Sequence, residues 1–277
     1  GNEGAARGHF AGNITRDSRV ELAVGNYEKS LNIQLWKNYS DVFRIRLQSP
    51  GGEEAELTTN IQGGKYTLRL EQTRILVYLG EPLPYAVAQE IYLEMIPVTG
   101  GYIDAGIWTI RLEPVMTVTG QYYLYLPAGN GRGDSTGFYR STPQMTLTVP
   151  STAAKVITVG AYDSRLNAYA DFSGRGGERL SYPKPDLVAP GVNITAPVPG
   201  GGYANVTGTS FATPFVTGSA ALMMEWGIVR RNDPFLWGEK VKAYLRRGAQ
   251  PLPGFEKYPN ESVGWGALCT AQSLFHM

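Results

Sequence analysis

The chain has 277 residues, enough for one large domain or two ordinary ones. Hydrophobic residues make up 43% and charged residues only 18%, which excludes a disordered chain and supplies a sizeable core. The net charge is +1 with no long basic run, so nucleic-acid binding has little electrostatic support; the isolated pairs Arg230-Arg231 and Arg246-Arg247 read as solvated helix faces.

The single cysteine, Cys269, excludes an intrachain disulfide and leaves the compartment open. No apolar run approaches membrane-spanning length. The opening Gly1-Asn2-Glu3-Gly4 is no signal peptide; it reads as the middle of a loop, and the natural protein is expected to continue upstream.

Three textures follow one another. Residues 1–15 are small and Gly/Ala-rich. Residues 16–149 repeat a period-two alternation: Leu31, Ile33 and Leu35; Phe43, Ile45 and Leu47; Tyr66, Leu68 and Leu70. Further strands are expected at 74–79, 90–95, 106–112, 121–126 and 145–149, separated by turns such as Ser49-Pro50-Gly51-Gly52, Gly63-Gly64 and Gly80-Glu81-Pro82. About eight such strands predict a β-sandwich or jelly roll. The tyrosines Tyr122, Tyr123, Tyr125 and Tyr139 are read as packing on its faces, with a carbohydrate platform as the alternative.

Residues 150–277 change to an α/β texture. A β-branched run at 155–160 and another at 186–191, stopped by Pro190-Gly191, suit buried parallel strands. From Ser210 to Trp226 nearly every side chain is small or apolar, which predicts a helix buried on all sides; Pro214 falls near its first turn, where a missing N–H costs least. A second helix is expected over 238–247, with basic residues at its C-terminal end.

The run Gly208-Thr209-Ser210-Phe211-Ala212-Thr213-Pro214 sets a serine where a tight turn enters that helix. There the hydroxyl is exposed, and the helix's free N–H groups and positive dipole end point at whatever Ser210 attacks. An N-cap serine is the plainer reading of those seven residues taken alone.

The neighbours sharpen it. Gly208–Pro214 resembles the serine block of the subtilisin-like protease family, and Lys184-Pro185-Asp186-Leu187-Val188-Ala189-Pro190-Gly191-Val192 resembles the strand leading to it. The strand at 156–162 followed by Asp171-Phe172-Ser173-Gly174-Arg175-Gly176, the closing Tyr258-Pro259-Asn260 and Gly264-Trp265-Gly266, and the opening Gly1-Asn2-Glu3-Gly4 resemble further family blocks, in the family's order. The resemblance covers 1–12 and about 150–277. It implies an α/β fold: a partial subtilisin-like parallel-sheet domain, residues 1–15 and 150–277, interrupted at 16–149 by an all-β jelly-roll or sandwich insertion. Such an interruption resembles the clostridial spore-germination proteases called Csp.

Residue by residue, the resemblance implies Ser210 as nucleophile and the Asn2 amide as oxyanion donor. Gly1, Gly208 and Thr209 would border the bound peptide. Substrates would be peptides or proteins; no cofactor is required, though the resemblance allows a structural calcium. Location is open, with a bacterial spore-associated or secreted protein the expectation.

A serine hydroxyl needs a histidine to take its proton and an aspartate to orient that histidine. The family places these in Asp-[Ser/Thr]-Gly and His-Gly-Thr-His motifs ahead of the asparagine block, and the chain contains neither. Its two histidines, His9 and His276, are read as loop or surface residues. Asp104 and Asp134 lie in the β stretch and are rejected as triad members, and Arg132-Gly133-Asp134 is read as a turn. The chain alone is therefore expected to be inactive, and its unpaired sheet edge predicts self-association or a rearranged sheet. The competing readings are a pseudoprotease with a regulatory or binding role, and a binding module in which the β domain captures a glycan or protein.

Overall fold

The computed structural model describes residues 1–14, 18–59, 63–81, 83–177 and 182–275. Pro82 and His276 lie outside them. The chain folds as two compact units, one of residues 1–5 and 143–277 and one of residues 6–142.

The unit of 6–142 is all β. Its strands are β1 (His9–Asn13), β2 (Ser18–Val24), β3 (Leu31–Asn38), β4 (Val42–Gln48), β5 (Glu54–Thr58), β6 (Lys65–Leu70), β7 (Thr73–Leu79), β8 (Ala88–Pro97), β9 (Gly106–Met116), β10 (Gln121–Tyr125) and β11 (Gly137–Phe138). They form a six-stranded antiparallel sheet, β1-β10-β3-β8-β7-β6, and a five-stranded one, β11-β2-β9-β4-β5. Period-two alternation turns one face of each strand inward, and the two rows meet in a single core that includes Leu22, Ile33, Leu35, Phe43, Ile45, Val77, Leu93, Trp108 and Tyr122.

The sequence reading missed β1, β2, β5 and β11. It also placed a strand at 145–149 where there is none: Met145 takes φ 58°, which an extended strand cannot accommodate. His9 is not a loop residue. It lies in β1, buried, with its ring stacked on Tyr125 at 4.4 Å and on Tyr123 at 6.0 Å, and its Nδ1 is 3.2 Å from the Thr142 carbonyl oxygen.

Lys37 continues the inward row of Leu31, Ile33 and Leu35. Its ammonium is buried and donates to the carbonyls of Asp41 (2.5 Å) and Asn38 (3.1 Å). Burial pushes its pKa down to about 8, only partly opposed by the Asp41 charge. A depressed basic pKa means that the unfolded chain binds this proton more tightly. Stability should therefore rise as pH climbs from about 8 towards the unfolded value of roughly 10.4, by about 3 kcal/mol at most. In Lys37→Met that alkaline rise in melting temperature is expected to disappear; an unchanged pH profile would refute it.

Asp41 beside it closes the β9–β10 connection. Its carboxylate accepts from the amides of Val118 (2.5 Å), Thr119 (3.0 Å) and Gly120 (3.0 Å) and from Thr119 Oγ1 (2.9 Å). Burial would raise its pKa, but these four bonds outweigh burial and hold it below the usual carboxylate value.

The other unit holds β12 (Val159–Asp163), β13 (Ala168–Tyr169), β14 (Leu187–Pro190), the hairpin β15 (Ile194–Pro197) and β16 (Tyr203–Val206), and helices α1 (Thr209–Met224), α2 (Glu239–Arg247) and α3 (Thr270–Phe275). Strands β12 and β14 are parallel, Val159 opposite Leu187 through Tyr162 opposite Pro190, and β13 pairs antiparallel with β12. Beyond β14 the closing segment continues the sheet: Val188 N donates to the Gly266 carbonyl (2.9 Å) and Leu268 N to the Val188 carbonyl (2.8 Å). The first strand begins at Val159 rather than at residue 155, and α1 runs on into a π-helical turn at Glu225–Val229.

The expectation of a helix buried on all sides fails for α1. Thr209, Ala212, Val216, Ser219 and Met223 are buried, facing the side on which β12 and β14 pack. A flank of the helix is open: Phe215 is 42% and Leu222, seven residues on, 56% exposed. All-round apolarity shows what the helix tolerates, not what covers it.

Candidate active site

Ser210 is exposed at the second position of α1. Backbone bonds bring it there. At the end of β14, Gly191 N donates to the Tyr162 carbonyl (3.0 Å), and the Gly191 carbonyl accepts from Gly208 N (2.8 Å). The chain returning from β16 is thus tied to the carboxyl end of the β12–β14 pair, the edge at which open α/β sheets present their ligand sites. A side chain at Gly191 would meet Ala161 Cβ at 2.7 Å, so only glycine allows this closeness.

Gly208 caps α1 with φ 153°. A Cβ built on it would lie 3.2 Å from Asn2 Nδ2. The Asn2 side chain is fixed by chemistry as well as by shape. Its oxygen lies 3.0 Å from Thr209 N and 2.8 Å from Thr209 Oγ1. A backbone amide can only donate, so the atom facing it must be Oδ1, and Nδ2 is turned to the Gly208 side. One free amide donor is thereby held at the first turn of the helix that carries Ser210, where backbone N–H groups have no intrahelical acceptor.

The loop bearing Asn2 is anchored on both flanks. Gly174 N donates to the Gly1 carbonyl (2.9 Å), and Gly4 N to the Phe172 carbonyl (3.0 Å). A Cβ on Gly1 would approach Thr148 Oγ1 at 2.6 Å, and one on Gly4 the Ser173 carbonyl at 2.3 Å. Ser173 in turn accepts from Ala161 N through its hydroxyl (3.0 Å), tying the 171–176 turn to β12. The structure therefore brings together Asn2, Gly208, Thr209 and Ser210, with Gly1 one residue from Asn2. Thr209 is buried against Asn2, which makes it the residue that orients the amide.

Under β14 lies a cluster that motif reading did not reveal. Asp186 is fully buried; its Oδ2 accepts from Thr158 N (2.6 Å) and Lys184 Nζ (2.9 Å). Its Oδ1 takes Arg246 Nε (2.8 Å) and Nη2 and faces Lys242 Nζ at 3.3 Å. Arg246 is thus not on a solvated face, whereas Arg230 pairs with Glu225 at the surface. Burial lowers the Lys242 pKa, with Asp186 opposing. Lys184 and Lys242 both also donate to the Val156 carbonyl, at 2.7 and 2.8 Å. No spacing rule connects these residues, because they come from three separate segments.

His9 and Asp104, set aside as triad members, are held within the β unit, His9 in β1 and Asp104 in the connection before β9. Asp104 accepts from Gln72 N (2.9 Å) and Thr73 Oγ1 (2.7 Å). Arg132 donates through Nε to the Pro127 carbonyl (3.0 Å) and through its other nitrogens to the carbonyls of Thr136 and Ala6, so its guanidinium ties down a turn. Among the described residues no group of three or more His, Cys, Asp or Glu side chains could hold a metal ion, and no residue here is assigned to calcium. Among them, too, no helix is long and apolar enough to cross a membrane.

A parallel-strand frame, a serine at a helix N-terminus and an asparagine amide oriented towards it belong to the subtilisin class. The Subtilase family model, Peptidase S8, matches residues 117–266, more than half of the chain, and the chain belongs to that family of serine proteases. In three dimensions it is similar to the CspB protease of Clostridium perfringens, with a TM-score of 0.91 and 33% identity, over 99% of this chain and 57% of that one. In sequence it is 34% identical over 141 residues to serine protease AprX of Bacillus subtilis (strain 168), covering 44% of this chain and 28% of AprX. To subtilisin BL of Lederbergia lenta it is 35% identical over 112 residues, covering 40% of this chain and 37% of that protein. The chain thus spans about a third of the length of these curated relatives.

Proposed function

We propose that this chain carries the nucleophile and oxyanion half of a subtilisin-type serine endopeptidase acting on peptides or proteins. The observation that supports it most is the Asn2 amide, turned by Thr209 towards the first turn of α1. In the proposed reaction Ser210 Oγ attacks a peptide carbonyl and the C–N bond breaks to leave an acyl-enzyme. Water then releases the acyl group. Asn2 Nδ2 and the Ser210 N–H donate to the oxyanion. Gly1 and Gly208 border the peptide. The proton of Ser210 must pass to a histidine held by an aspartate and from it to the leaving amine, and the 277 residues contain neither family motif. Alone they should not turn over peptides; joined to a segment carrying both motifs they should. A regulatory pseudoprotease becomes the better reading if such a joined protein stays inactive.

The β unit is read as a jelly-roll-type insertion between the asparagine block and the rest of the protease fold. Its connections support this: the chain alternates between the two sheets through β1–β4 and again through β8–β11, so that β2 pairs with β9 and β3 with β8. Hairpins β4–β5 and β6–β7 close the roll.

The open stripe of α1 supports self-association of this chain. Light scattering is expected to show a species larger than one chain, and Phe215→Ser combined with Leu222→Ser is expected to shift it to the monomer. A monomeric starting protein would refute this.

A further inference from the structure

Five connections of the β unit gather at one end of its two sheets. The pairings Val24 with Gly106, Leu31 with Met95, Ala23 with Gly137, Gln48 with Thr109 and Thr73 with Pro97 bring the connections 25–30, 49–53, 71–72, 98–105 and 126–136 to that same end. Carboxylates pin them together. Glu28 accepts from Gly133 N (2.7 Å) and Thr136 Oγ1, and its own carbonyl takes Ile103 N (2.9 Å). Asp104 holds Gln72 and Thr73, and Glu71 accepts from Gly51 N (2.7 Å) and Ser49 Oγ. The loops are therefore held by charge-assisted bonds, not left to move freely.

On this fixed base stand Tyr27 and Tyr102, in an edge-to-face pair with ring centroids 5.2 Å apart and planes at 79°. Tyr27 is 76% exposed and Tyr102 47%. Tyr27 also takes φ 69°, a left-handed conformation that is strained for a bulky residue. Little burial offsets that strain, and glycine would serve a simple turn better. Strain maintained to present an exposed ring points to a ligand. The surroundings are polar and open: Asn26 and Ser135 are exposed, Ser135 sits against Gly25, and a Cβ at Gly100 or Gly101 would meet nothing.

We propose that Tyr27 and Tyr102 form the aromatic platform of a carbohydrate-binding site. A pyranose presents an apolar C–H face, suited to a fixed ring, and a rim of hydroxyls, suited to Asn26 and Ser135. A peptide anchor would need an apolar pocket, and the exposed side chains beside Tyr27, those of Asn26, Lys29 and Ser30, are polar.

The test is ligand-observed NMR titration of the 277-residue protein with cellotetraose and chitotetraose, preceded by a glycan array to find the preferred sugar. Binding is expected, and Tyr27→Ala and Tyr102→Ala should each weaken it at least tenfold. Tyr27→Phe should keep it. Tyr27→Gly should abolish it while the melting temperature holds or rises, a combination that loss of a merely structural contact would not give. Absence of binding to any glycan, or binding that survives loss of both rings, overturns the proposal.

Discussion

Asp186→Asn is expected to lower the stability of the unit that carries Ser210 by at least about 3 kcal/mol. The carboxylate is fully buried and is the common partner of Lys184, Lys242 and Arg246. Asparagine keeps the shape but leaves three cations facing a neutral amide whose NH2 group cannot accept. Removing one member of a buried ionic cluster costs more than the cluster contributes, because the remaining charges stay desolvated. For a unit of this size that loss corresponds to a fall of roughly 10 °C in melting temperature. The effect should reach the site, since Asp186 opens β14 and bonds backbone to backbone with Thr158 (2.8 Å). Asp163 provides the control: it caps only its own loop, through Arg165 N (2.9 Å), and Asp163→Asn should cost far less. Calorimetry showing a change of less than 2 °C for Asp186→Asn would refute the assignment.

Asn2→Ala is expected to reduce turnover by about 100- to 1,000-fold in a protein that also carries the histidine and aspartate; this magnitude is taken over from subtilisin itself, a relative of this chain. The loss should fall on kcat with little change in KM, because an oxyanion donor acts on the charge that develops in the transition state. Thr209→Val tests the orientation argument separately. It keeps the amide donor to Asn2 Oδ1 but removes the hydroxyl donor, and should give a smaller loss of the same kind. A rise in KM with kcat intact would mean that Asn2 binds substrate and does not serve the oxyanion.

Much of this was legible in the sequence because short-range rules govern it. Leu31, Ile33 and Leu35, or Phe43, Ile45 and Leu47, alternate because one sheet face is buried, and α2 ends on Arg246 and Arg247 where its carbonyls are free. The block Gly208–Pro214 pointed to the serine because the turn into α1 demands glycine; Pro214, expected near the first turn, lies inside the helix. What escaped depends on partners far along the chain. β2 is the exception: Val20, Leu22 and Val24 alternate just as in the strands that were expected, so its signal is local. Lys37 is in phase with Leu31, Ile33 and Leu35, but the Asp41 and Asn38 carbonyls that let a lysine fill that inward position are not part of any periodicity. Arg246 looked solvated because Asp186, sixty positions away, gives no local signal. The apolar texture of α1 was read as complete burial, when it specifies only that either face is able to be covered.

The central claim is that Ser210 is the nucleophile of a subtilisin-type site that needs a histidine and an aspartate from outside these 277 residues. Hydrolysis of a fluorogenic peptide tests it, measured for this chain alone and for the same chain joined to a segment bearing the Asp-[Ser/Thr]-Gly and His-Gly-Thr-His motifs, each with Ser210 and with Ser210→Ala. The account predicts no turnover from the chain alone, and turnover from the joined protein that Ser210→Ala abolishes. Turnover by the chain alone that is lost in Ser210→Ala, or turnover by the joined protein that survives Ser210→Ala, would contradict it.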